Sequence, residues 1–98
     1  MNAWFDNFAR SCAEVASRQR APIEAPHLNA AVARELLDLT RIVARASERQ
    51  FAPLAAFVAG QAIERMMRAR PELGSEDMVR FLQELKQALP QPGNSEGA

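Results

Sequence analysis

Three kinds of side chain in this sequence are equipped for chemistry: one thiol, one imidazole and two rows of guanidinium groups. Cys12 and His27 are the only cysteine and the only histidine among the 98 residues. A thiol nucleophile needs a base beside it, and a metal needs further ligands at matching spacing. Neither is assembled by spacing here. Cys12 falls in the apolar stripe Trp4, Phe8, Cys12, Val15, which reads it as a small buried hydrophobe rather than a reactive thiol. His27 follows a proline-bounded connector, with no second ligand and no nucleophile near it in sequence. No catalytic residue, no metal ligand and no cofactor is therefore expected. Arg41, Arg45 and Arg49 recur four apart, and Arg65, Arg68 and Arg70 crowd the end of a later apolar run. These rows are the candidate contacts for a phosphate or an acidic partner. The plainer reading is a solvated face, with cations offsetting the partial negative charge of a helix C-terminus.

The elements that must position these groups are helices. Val32, Leu36, Leu39, Val43 and Ala46 recur at spacings of four and three, the period of an amphipathic helix and not of a strand. Arg34–Asp38 and Arg45–Glu48 lie at pairing distance on its polar side. Pro53 suits the first turn of the next helix, where a missing N–H has no partner to lose. From Leu54 to Met67 that helix is apolar on most faces, as a central helix would be. Within it Ala56 and Gly60, four apart, mark a close helix–helix contact, expected near Val43 or Ala44. Asn2 caps an N-terminal helix, in which Trp4 and the phenylalanines are expected in the core. Ile23 is expected to tack the connector Ala21–Pro26 to the bundle. Gly74-Ser75-Glu76-Asp77 starts a last helix with Ser75 as cap, carrying Met78, Phe81, Leu82, Leu85 and Leu89. The expected fold is all-α: a compact bundle of four helices, near 3–19, 29–48, 53–69 and 75–89, built on a central antiparallel hairpin. Residues 1–90 form one domain, and 91–98 are expected to be a disordered tail.

Several of these residues also carry a resemblance. Leu36-Leu37-Asp38-Leu39-Thr40-Arg41, Val43-Ala44, Ser47-Glu48-Arg49, Ala52-Pro53-Leu54 and Phe57-Val58-Ala59-Gly60 resemble a small uncharacterised helical domain of high-GC actinobacteria. That domain occurs alone or fused behind the nucleotidyltransferase that attaches a guanine nucleotide to the molybdenum cofactor. Trp4 matches its early tryptophan, and the likeness runs over about residues 4–65. Arg45 stands where the family has histidine, Arg49-Gln50-Phe51-Ala52-Pro53 replaces its Arg-Pro-Ala-Ala-Pro, and the stretch after Met67 has no counterpart. The resemblance implies a pathway context and no mechanism.

Composition narrows the function classes. Twelve basic and twelve acidic side chains cancel, so the strongly basic face of a nucleic-acid binder is missing. No segment reaches the ~20 apolar residues that span a bilayer. The N-terminus lacks a basic region followed by an apolar core, so the cytoplasm is the expected location. A non-catalytic interaction or accessory module is the leading expectation, with a protein partner or self-association, without nucleic acid or membrane. The alternatives are a small cofactor- or anion-binding protein using the arginine rows, a small enzyme using Cys12 or His27, and a homodimeric helical regulator.

Overall fold

The computed structural model describes residues 2–89. The expected tail at 91–98 lies outside them. Four helices follow in order: α1 (Ala3–Arg18), α2 (Ala30–Ala46), α3 (Phe51–Ala69) and α4 (Ser75–Ala88). No strand occurs among the described residues. The all-α fold class expected from the periodicity is thus observed, with helix ends within two residues of those expected. The chain divides into two compact units between Ala30 and Ala31.

In the first unit, the Asn2 side chain accepts the Phe5 N–H at 3.1 Å, satisfying one of the orphan donors of α1. At the other end, the Ala21 N–H reaches back to the Ala16 carbonyl and the Arg20 N–H to Ser17. Arg20 takes the left-handed φ of 64° that this closure needs, a position where glycine is usual. No residue of α1 is buried. Trp4, Phe5 and Phe8 instead form an exposed aromatic group, Trp4 stacked on Phe8 with centroids 5.5 Å apart. The core placement expected for these rings is corrected accordingly. Ile23 is also exposed.

In the second unit, α2, α3 and α4 share one core of Val32, Leu39, Ala59, Ile63 and Leu82. Leu36, Met67, Met78, Val79, Phe81, Leu85 and Leu89 pack around it. Leu82 is wholly buried and Leu39 is 2 % exposed. Of the leucines in the α2 stripe, Leu39 is thus in the core and Leu36 is half-buried at its edge. The turn into α3 is wound by two short hydrogen bonds, Phe51 N–H to the Glu48 carbonyl and Ala52 N–H to Arg49. Pro53 lies in the first turn of α3, as its chemistry requires. The cap of α4 is Gly74, not Ser75. The Gly74 carbonyl accepts the Asp77 and Met78 N–H groups, and its own N–H donates to Asp77 Oδ2 at 2.9 Å. That bond, with Arg80 second, holds the Asp77 carboxyl below its ordinary range.

α3 is less central than its composition suggests. At about 100° per residue, Ala52, Ala59, Ile63 and Met66 share one arc, and they are buried or half-buried. Leu54, Phe57, Gln61, Glu64 and Arg68 share the opposite arc, and all are exposed.

Candidate functional site

The apolar surplus of α3 lies on that outer arc and on its flank, where Phe51 and Val58 sit. Leu54, Phe57 and Val58 are 62 %, 68 % and 60 % exposed, and Phe51 extends the patch toward the start of the helix. Soluble proteins carry scattered exposed apolar residues, but several large ones side by side mark a contact surface. Gly60 borders this arc. A Cβ built there meets nothing within 4 Å, and Ala56 is only half-buried. The close approach of α2 expected at Ala56 and Gly60 is therefore not made at Gly60. A glycine in a helix signals a missing side chain, and here the vacancy opens outward.

Inward of the patch, Leu39, Val43, Ala55, Val58, Ala62, Phe81 and Leu85 help line an almost wholly apolar groove of about 250 Å³. A second cleft, about 380 Å³, lies over the α3–α4 turn. It has Met66, Leu73 and Phe81 as its apolar walls and Arg70, Asp77, Arg80 and Glu84 among its charged ones. Those charges are largely matched. Arg70 pairs with Glu72 at 2.8 Å and Arg80 with Asp77 at 2.9 Å.

The two arginine rows are not brought together. Arg45 sits in the last turn of α2, beside the loop that Arg49 occupies, whereas Arg65 and Arg68 are near the far end of α3. The rise of 1.5 Å per residue separates Arg65 from the start of α3 by about 20 Å. Arg41 is held by Asp38 at 2.7 Å. Asp38 thus pairs with Arg41, and Glu48 accepts from Gln50 at 2.8 Å. Along α3 this spread keeps Arg65 and Arg68 away from Arg49.

Within the first unit, Cys12 and His27 line one cleft of about 190 Å³ together with Phe5, Phe8 and Leu28. Sequence spacing gives no hint of this, because the connector folds His27 back toward α1. Cys12 is half-buried. The juxtaposition is the one observation favouring a small enzyme or carrier. Among the described residues no third histidine, cysteine or carboxylate joins them in a metal-binding group.

The polar cluster that sequence reasoning missed links α2 to α4. Lys86 Nζ lies 2.7 Å from Glu35 Oε1 and 3.6 Å from Asp38 Oδ2, and Gln83 Nε2 donates to Glu35 Oε2 at 3.2 Å. The Lys86–Glu35 contact is an ion pair by distance, and Oε1 is shielded from solvent without an in-line hydrogen bond. Its signal is present in the chain: Lys86 interrupts the helix-spaced series Val79, Leu82, Lys86, Leu89 and is the only lysine. Lys86, with Gln83 second, holds the Glu35 carboxyl below its ordinary range, against partial burial that pushes it up. Asp38 is lowered first by Arg41 and then by Lys86. Glu35 in turn holds the Lys86 ammonium above its usual value.

A carboxyl lowered on folding stabilises the fold above its unfolded value of about 4.3, and that contribution is lost as pH falls through the folded value. An amine raised on folding stabilises below about 10.4, and its contribution is lost as pH rises through the folded value. Glu35→Gln is therefore expected to flatten the acid limb. Urea midpoints between about pH 5 and pH 2 should fall more steeply for the unsubstituted protein than for the variant. Parallel curves would show that the Glu35–Lys86 pair contributes nothing to folding.

A family model described as a domain of unknown function, DUF6457, matches residues 2–94. The match takes in nearly the whole chain, and the protein belongs to this family. It extends well past Met67, where the sequence resemblance stops, and so includes α4. No curated protein matches the chain. No solved structure matches it either.

Proposed function

We propose that this domain is a non-catalytic interaction or accessory module whose contact surface is the outer face of α3. The observation that carries the reading is the adjacency of Leu54 and Phe57 on the side opposite the core, with Val58 on the flank between them and the inner groove, each about three-fifths exposed or more. Burying them against a partner removes apolar surface from water, which favours association. Phe57 at the centre is the anchor, since large aromatic side chains dominate such contacts. The arginines Arg65 and Arg68 edge the patch and suit the rim of an interface, where charges steer and select partners. The sequence resemblance suggests which partners to try first: the guanine-nucleotide transferase of molybdenum-cofactor synthesis, and molybdoenzymes.

A photo-reactive side chain placed at position 57 tests the reading in the cells from which the chain comes. Position 34, on the exposed polar side of α2, is the control. Discrete adducts from position 57 and none from position 34 are expected. Equal yields from the two positions, or none from either, would overturn the proposal.

A further inference from the structure

We draw no further inference here: the strongest candidate, the exposed apolar face of α3 at Leu54 and Phe57 with Val58 on its flank, is the contact surface already described, and nothing in the structure shows what covers it.

Discussion

Leu82→Ala and Leu39→Ala are each expected to cost about 2–5 kcal/mol of folding stability. Both side chains are essentially without solvent contact, and they sit in the one cluster shared by α2, α3 and α4. Truncation loses the transfer free energy of the deleted methyl groups and leaves a cavity that the helices only partly close. Domains of this size are stable by about 5–15 kcal/mol in total. One such change therefore removes a large share of the stability, and the pair together should leave the second unit unfolded. Denaturant midpoints at constant m measure the loss. A loss below about 1 kcal/mol for Leu82→Ala would contradict the core described above.

Gly60→Ala is expected to change stability in the opposite direction, by about 0.5–1 kcal/mol in favour of folding. The added methyl group meets open space, and alanine loses less backbone entropy than glycine when the helix forms. The same denaturant melts give the answer. A destabilised alanine variant would restore the close contact with α2 that the structure does not show.

The four helices were legible because helix periodicity and end signals are local. The four-and-three spacing from Val32 to Ala46, the proline at 53 and the acidic start after Gly74 each act within a turn or two of chain. What local signals leave open is direction. α3 is apolar nearly all round, so its period does not say which arc turns inward, and the assignment of Gly60 to a buried contact failed there. The competition is settled by packing: Ala59 and Ile63 meet Leu39 and Leu82, which leaves Leu54, Phe57 and Val58 outside. Capping showed a similar limit, because Ser75 and Gly74 both suit the N-cap and only backbone geometry gives it to Gly74. Long-range polar contacts were the least legible. Glu35 and Lys86 are fifty-one positions apart, and no spacing rule couples them. The arginine rows were the converse case: prominent in sequence, yet separated because α3 carries Arg65 and Arg68 about 20–25 Å along its axis from its start, which Arg49 precedes.

In the proposed function the two sides of α3 have separate tasks: the inner side holds the core and the outer side meets a partner. The unfolding free energy of Phe57→Ser, measured at concentrations where the chain is monomeric, tests that division most directly. A value within about 0.5 kcal/mol of the unsubstituted protein is expected, accompanied by loss of association. A loss of about 3 kcal/mol or more, the cost of emptying a buried phenylalanine site, would place Phe57 in the core and contradict the outer face as a contact surface.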